Sequence, residues 1–176
     1  MLTFISRVAF FLSLAIVLGA SGTSSASAQG TAGGAATSAS SGEIDRDVWS
    51  VFVATVASDD IVRMGSVYFP DAVLVTPRGT SPIKETLERW GRDMVAAQAK
   101  GNRATVEFRF SRRQDNATTA FEAGIFKYTV IEKSGASNPK FYPFEQLLAK
   151  TNGKWRVLME RQFAEVTQGE WDKLAK

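Results

Sequence analysis

The stretch "YFPDAVLVTPRG", Tyr68 to Gly79, decides how the chain divides into helices and strands. Pro70 ends the helical pattern before it, because proline lacks the amide hydrogen that a helix interior needs. The apolar run "AVLV" then predicts a short strand that leads into Thr76-Pro77. Thr76 therefore stands at a strand end, where its hydroxyl either lines a pocket or bonds the local backbone.

Two helices are predicted before this strand. Apolar residues at helical spacing indicate a first helix over residues 43–58, with Ser40 and Glu43 as a capping box. A short second helix follows, and Asp59 or Asp60 can cap its start.

A third helix and an antiparallel sheet are predicted after it. Ser81-Pro82 is typical of a helix start, and Gly101 of its end. Four strands follow, within "ATVEFRFSR", "ATTAFEAGIFKYTVIEK", "KFYPFEQLLAK" and "KWRVLMERQFAEV". Gly124 is a candidate bulge, and Asn152-Gly153 predicts a tight hairpin turn.

The composition excludes several kinds of chemistry. The chain has 176 residues, no Cys and no His. Disulfides, thiol nucleophiles, Ser-His catalysis and His-containing metal sites are therefore excluded, and we expect neither a metal nor a cofactor. A net charge of +3 gives little reason to expect nucleic acid as a partner, and the clustered Arg103, Arg109, Arg112 and Arg113 suit a solvated strand face.

The N-terminal part has the pattern of a targeting segment followed by a flexible linker. Residues 1–28 resemble a secretory signal peptide: Arg7, then a short apolar run, then "ASA" before a cleavage point. An uncleaved anchor is the alternative, although the run is shorter than the roughly 20 residues of a span. Residues 29–42 are predicted to be a flexible linker, and residues 43–176 a folded domain. We expect an exported protein, periplasmic or extracellular, without membrane contact after cleavage.

The order of these motifs resembles the nuclear-transport-factor-2-like superfamily, especially its SnoaL-like and ketosteroid-isomerase-like branches. The matching pieces are "WSVFVATVASDD", "YFPDAVLVTPRG", "SPIKETLERW", "FEAGIFKYTV" and "NGKWRVL". The resemblance implies an α+β cone, in which three N-terminal helices pack on a strongly curved antiparallel sheet around a pocket. It also implies that the outer sheet face often forms a dimer.

The residues that the isomerase branch uses for catalysis differ here. That branch places an aspartate before the proline of the strand motif and a tyrosine in the first helix; these positions are Thr76 and Phe52. A hydroxyl without an activating partner is a poor base near neutral pH. Both differences argue against isomerase activity.

Glu122 and Arg161 are the polar candidates for the pocket interior. Glu122 alternates in phase with Phe126, and Arg161 alternates in phase with Trp155. In the epoxide-hydrolase branch an acid-Arg-acid cluster activates water. Glu122 with Arg161 resembles part of that cluster, and Glu107 with Arg109 is a second, fainter resemblance. A structural ion pair or plain solvent exposure is the alternative for all of these charges.

The sequence therefore predicts a pocket whose function is left between three classes. The expected lining residues are Trp49, Tyr68, Thr76, Trp90, Glu122, Phe126, Tyr128 and Arg161. The favoured interpretation is a non-catalytic domain that binds a small, mainly apolar molecule. The alternatives are a carboxylate- and Arg-dependent isomerase, hydratase or hydrolase, and a pure protein-interaction module.

A homodimer is also expected. The long strand over residues 117–132 has apolar side chains on both of its sides, including Phe121 and Ile125 on one and Phe126 on the other. A sheet covered on one face only should be polar on the other. We expect a second subunit to cover the second face.

Overall fold

The computed structural model describes residues 39–174. The predicted signal peptide, residues 1–28, and most of the predicted linker lie outside the described residues. Within the described part, no helix has the length and apolar character needed to cross a membrane.

The helices lie mainly in the first half of the described chain. They are α1 (Ala39–Ile44), a π-helical segment (Asp45–Trp49), α2 (Ser50–Ser58), α3 (Ile61–Gly65), α4 (Ile83–Ala99) and α5 (Gln168–Asp172). The first three run on without a break, so the predicted first helix exists and ends at Ser58. It begins earlier than predicted, since its first described residues belong to the predicted linker.

The predicted capping box does not form, because both of its side chains have other partners. The Ser40 hydroxyl donates to the carbonyl of Asn116 at 3.2 Å. The Glu43 carboxylate accepts from Lys150 Nζ at 2.6 Å and from Trp155 Nε1 at 3.0 Å. These bonds attach the helix to the sheet instead of closing its first turn.

Of the helices α3 and α4, only α3 starts with an ordinary side-chain cap. Asp60 caps α3 as predicted, because its carboxylate accepts from the amide of Arg63 at 2.9 Å. Before α4, Ser81 lies in a strand, and its hydroxyl pairs with that of Thr86 at 3.0 Å without capping the helix. Gly101 follows the helix end with a φ of +75°, as predicted.

Six strands form one curved, mixed sheet in the order β2-β1-β6-β5-β4-β3. They are β1 (Tyr68–Thr76), β2 (Gly79–Pro82), β3 (Arg103–Asp115), β4 (Thr119–Ile131), β5 (Ser137–Thr151) and β6 (Lys154–Gln162). The four strands β3 to β6 pair antiparallel, as expected, but the sheet as a whole is mixed rather than antiparallel, because β1 pairs with β6 in parallel. The turn between β5 and β6 is confirmed: Asn152 and Gly153 have φ of 53° and 75°.

Two bulges shift the alternation of side chains in the antiparallel part of the sheet. Ser111 is the extra residue of β3, and Leu158 is the extra residue of β6. Gly124, predicted as a bulge, instead lies on β4 opposite the bulged part of β3. A Cβ there would come within 2.0 Å of the carbonyl oxygen of Arg109, so only glycine fits this close approach.

The main core lies between the helices and the inner sheet face. Trp49 and Phe52 of the first helical stretch pack on Phe108 and Phe144 of the sheet, with ring centroids 4.6 to 6.2 Å apart. Burial of such aromatic residues supplies the largest area removed from water per side chain. The helices are therefore fixed to the inner face by aromatic packing.

Part of the outer sheet face is covered by the chain's own C-terminal region. Trp171 of α5 packs on Ile125 and Phe141, and all three are buried. Arg109 stacks its guanidinium 4.3 Å from the Trp171 ring centroid and donates to the carbonyls of Trp171 and Leu174 at 2.9 and 3.2 Å. Ile125 is thus buried by its own chain. The sequence pattern alone had suggested that a second subunit would bury it.

Candidate functional site

A cavity of about 430 Å³ opens between the helices and the inner face of the sheet. Its volume falls within the range of small-molecule sites. Its lining residues are Phe52, Val56, Asp59, Met64, Tyr68, Trp90, Asp93, Met94, Ala97, Asn102, Arg103, Ala104, Val106, Phe108, Phe126, Tyr128, Tyr142, Gln146, Glu160 and Gln162.

Alternation along the strands explains which sheet residues reach this cavity. Phe126 and Tyr128 on β4 are two positions apart, as are Val106 and Phe108 on β3. Residues at that spacing share one face of a strand. On the helical side, Trp90 and Met94 lie one turn apart on α4, so they share one face of the helix. Most of the lining residues are aromatic or aliphatic.

The polar floor of the cavity is built around Glu160 of β6, whose side chain is 5% exposed. Tyr68 donates its hydroxyl hydrogen to Glu160 Oε2 at 2.6 Å. The carboxamides of Gln146 and Gln162 donate to Oε2 and Oε1 at 3.1 and 2.6 Å. Three neutral donors thus converge on one buried carboxylate, and no positively charged side chain is among these partners.

Burial governs the protonation of this floor. Desolvation raises the pKa of Glu160, and the three donated hydrogen bonds oppose that rise only in part. Burial also raises the pKa of Tyr68 well above its ordinary value, with the adjacent Glu160 charge as the next cause. A carboxyl group with a raised pKa in a cavity is a candidate for proton exchange.

Carboxylates also stand near the exposed end of the cavity. Asp93 of α4 and Arg103 of β3 are exposed, and Asp59 is half-buried. Desolvation raises the pKa of Tyr128, and the charges of Asp59 and Asp93 raise it further. These two carboxylates therefore lie within electrostatic range of the Tyr128 hydroxyl.

The structure brings together four of the eight residues predicted to line the pocket: Tyr68, Trp90, Phe126 and Tyr128 all line the cavity. The other four, Trp49, Thr76, Glu122 and Arg161, are placed elsewhere, and each has a local reason.

Thr76 secures the turn between β1 and β2. Its hydroxyl donates to the carbonyl of Gly79 at 3.3 Å and accepts from the amide of Arg78 at 3.2 Å. The backbone-bonding alternative is what the structure contains at this position. Phe52 does line the cavity, but it offers no hydroxyl.

Trp49 and Glu122 belong to a buried ion-pair network beside the cavity. Glu122 is fully buried, accepts from Trp49 Nε1 at 2.5 Å and accepts from Arg113 Nε at 2.8 Å. Arg113 also donates to Asp45 at 2.6 Å. Desolvation raises the pKa of Glu122, although the Arg113 charge opposes it. The network ties the π-helical segment to β3 and β4, which is a structural role.

Arg161 lies on the outer sheet face because of the Leu158 bulge. Simple alternation from Trp155 would point Arg161 inward, but one extra residue reverses the phase. Arg161 is exposed and pairs with Glu145 at 3.6 Å. The same shift turns Glu160 inward.

The second candidate acid–Arg pair, Glu107 and Arg109, also lies on the outer face. Glu107 pairs with Lys127, and Arg109 holds α5. Neither side chain lines the cavity. No group of three or more metal-ligating acids, His or Cys occurs within residues 39–174.

Comparison with solved structures identifies the architecture. An NTF2-like protein of unknown function from Shewanella oneidensis superposes with a TM-score of 0.59 at 12% identity, over 71% of this chain and 99% of that chain. An NTF2-like superfamily protein from Salmonella enterica gives 0.54 at 16% identity, over 75% and 99%. A ketosteroid isomerase-like protein from Erwinia carotovora gives 0.50 at 17% identity, over 71% and 98%. This chain has the nuclear-transport-factor-2-like fold.

Among the comparisons with known proteins, only the solved structures match this chain. No protein-family model and no curated protein matches the sequence. At identities of 12 to 17%, the similarity establishes the fold and leaves activity to the residues of the cavity.

The residues that sequence reasoning missed in this NTF2-like cavity are its polar floor. Glu160, Gln146 and Gln162 were not predicted to line it. Gln146 alternates with Phe144 and Leu148, so an inward carboxamide could have been found from β5 alone. Glu160 and Gln162 follow the bulge, and no residue in "RVLMERQ" signals it.

Proposed function

We propose that this protein binds a small, mainly apolar organic molecule in the cavity, and that binding rather than turnover is its function. The observation that carries this is the cavity itself: about 430 Å³, seven aromatic residues in its lining, and a few polar groups gathered at the floor. Such sites favour apolar ligands and use few polar groups to orient them. From the order of its sequence motifs, we also propose that the chain belongs to the SnoaL-like and ketosteroid-isomerase-like part of the superfamily, with three helices closing the cone.

A thermal-shift screen of steroids, terpenes and fatty acids tests the proposal. A ligand present at one hundred times its dissociation constant should stabilise the fold by about 2.7 kcal/mol. Ala97 lines the cavity and Ala96 does not, although both lie on α4. Ala97→Phe should therefore abolish the shift, while Ala96→Phe should retain it. If no compound shifts the melting temperature, or if both variants respond alike, binding in this cavity is refuted.

Acid–base catalysis is a second candidate, and the Tyr68–Glu160 contact is the observation that favours it. A carboxyl group whose pKa is raised by burial can serve as the acid or base in proton exchange with a bound carbonyl compound. Incubating ketones with the protein in deuterium oxide would detect exchange at the adjacent carbon. Exchange that is lost in Glu160→Gln but kept in Glu145→Gln would favour an enzyme; no exchange with any ketone would favour the binding function.

Dimerisation through the outer sheet face is a further part of the proposal. Phe121, Leu147 and Met159 are register partners across β4, β5 and β6, and Leu147 is 42% exposed. This apolar row is not covered by α5, which packs on Ile125. Leu147→Glu should convert a dimer to a monomer in light scattering. Val62→Glu on α3, where the valine is 84% exposed, is the matched control.

Export is proposed from residues 1–28. The expected result is an exported protein whose intact mass corresponds to cleavage after Ala28. Recovery of the uncut chain in the membrane fraction would support the anchor instead.

A further inference from the structure

We propose that the cavity selects lipophilic amines, with an aromatic or aliphatic body against its walls and a protonated nitrogen directed toward the carboxylates. The inference rests on the proposed binding function and names the chemistry of the ligand. It follows from three independent features of the lining: its charges, its unused hydrogen-bonding capacity and its aromatic groups.

The charged residues of the lining are mostly acidic. Three carboxyl groups, those of Asp59, Asp93 and Glu160, accompany one basic residue, Arg103. The other arginines considered for this site lie elsewhere: Arg161 is exposed on the outer face. A cationic ligand gains from this balance, whereas an anionic ligand would add a like charge.

The hydrogen-bonding capacity left at the floor consists mainly of acceptors. The donors from Tyr68, Gln146 and Gln162 already point at Glu160. Gln146 is 2% exposed, and its Oε1 has no partner among the described residues. A carboxylate oxygen can accept more than one hydrogen. A buried acceptor without a donor is costly, so a ligand N–H that came within hydrogen-bonding distance of this oxygen would relieve the cost.

The walls suit a cation as well as an apolar body. Trp90, Phe108, Phe126 and Tyr128 contribute aromatic rings to the lining. The faces of such rings attract organic ammonium groups, most strongly when water is excluded. The walls would accept the same apolar body whatever the charge of the head group. The head group therefore decides which ligand binds most tightly.

A matched ligand set measures that discrimination. The probes are 1-naphthylmethylamine, 1-naphthalenemethanol and 1-naphthoic acid, which share one apolar body and differ in the head group. Isothermal titration of the folded protein at neutral pH should give the tightest binding for the amine. The alcohol should follow, and the acid should bind weakest. A charge-assisted hydrogen bond corresponds to roughly a tenfold to hundredfold preference for the amine over the alcohol.

Two variants with one control assign the preference to the lining. Glu160→Gln should reduce amine affinity by at least about tenfold and leave alcohol affinity nearly unchanged. Asp93→Asn changes an exposed residue, so it keeps the test valid if Glu160→Gln fails to fold; it should weaken the amine by a smaller factor. Glu145→Gln makes the same chemical change on the outer face, where Glu145 pairs with Arg161, and should alter neither affinity.

The outcomes separate this inference from the function beneath it. If none of the three probes binds, and the wider apolar screen is also negative, the binding function itself fails. If the alcohol or the acid binds as tightly as the amine, the cavity binds apolar bodies but the amine inference is wrong. If the preference for the amine is unchanged in both Glu160→Gln and Asp93→Asn, the amine inference is also wrong.

Discussion

Two carboxylates on the inner face of one sheet have different surroundings. Glu122 on β4 accepts hydrogen bonds from an indole and from a guanidinium, and it lies outside the cavity lining. Glu160 on β6 accepts from a phenol and two carboxamides, and it forms the cavity floor. The first charge is compensated by a cation of the same chain; the second has only neutral donors.

That difference distinguishes a charge buried in an ion pair from a charge buried among neutral donors. An acid paired with an arginine holds elements together, and removing one partner leaves an uncompensated charge. An acid solvated by neutral donors retains capacity to interact with an incoming cation or to exchange a proton. The inner face of this sheet contains one example of each.

The largest expected effect comes from breaking the compensated pair. Arg113→Leu leaves Glu122 buried without its cation, and we expect the free energy of unfolding to fall by about 3 kcal/mol in urea titrations. Arg112→Leu, at the next and exposed position, should change it by no more than about 0.5 kcal/mol.

Neutralising the acid sharpens this test. The double variant Arg113→Leu, Glu122→Gln should recover most of the loss, because no buried charge remains and Trp49 keeps an acceptor. A double variant as unstable as the single one would mean that Arg113 acts through packing on Phe110, which its guanidinium contacts at 4.4 Å.

A smaller effect is expected where the donors are neutral. Tyr68→Phe removes one hydrogen bond to Glu160 and should lower the free energy of unfolding by about 1–2 kcal/mol. Tyr142→Phe makes the same deletion elsewhere in the lining and serves as the control. Equal losses in both variants would show that the Glu160 contact is not special.

The smallest effect is the pH dependence that Glu160 imposes. Because burial raises its pKa above the ordinary 4.5, the fold favours the protonated form. Its contribution to stability is fully present below about pH 4.5 and decreases as the pH rises through the higher folded value. The stability of the wild type relative to Glu160→Gln should therefore fall with rising pH. A relative stability that rises with pH would mean that the three donors outweigh desolvation.

Most of the fold could be predicted, because local signals specify its elements. Asn152-Gly153 predicted a turn that requires positive φ at both residues, and that turn is present. Glu122 was correctly placed on the inner face, because β4 pairs with β5 without a register shift and alternation holds along it. Where the sheet is regular, a period of two is sufficient.

The polar floor could not be predicted, because a bulge depends on tertiary pairing. Leu158 is inserted between two paired positions of β6, and every side chain after it changes face. Arg161 was expected inside and lies outside, and the same change of phase places Glu160 inside. The Ser111 bulge acts similarly on β3 and turns Arg113 toward Glu122.

The parallel pairing of β1 with β6 determines when this site can come into existence. Tyr68 and Glu160 are 92 positions apart, and their hydrogen bond joins β1 to β6. Contacts of such long range are among the slower ones to close during folding. A chain emerging from the ribosome cannot assemble the floor until β6 has been synthesised. The proposed ligand binding at this floor would therefore report that β6 has docked, and could serve as a measure of that folding step.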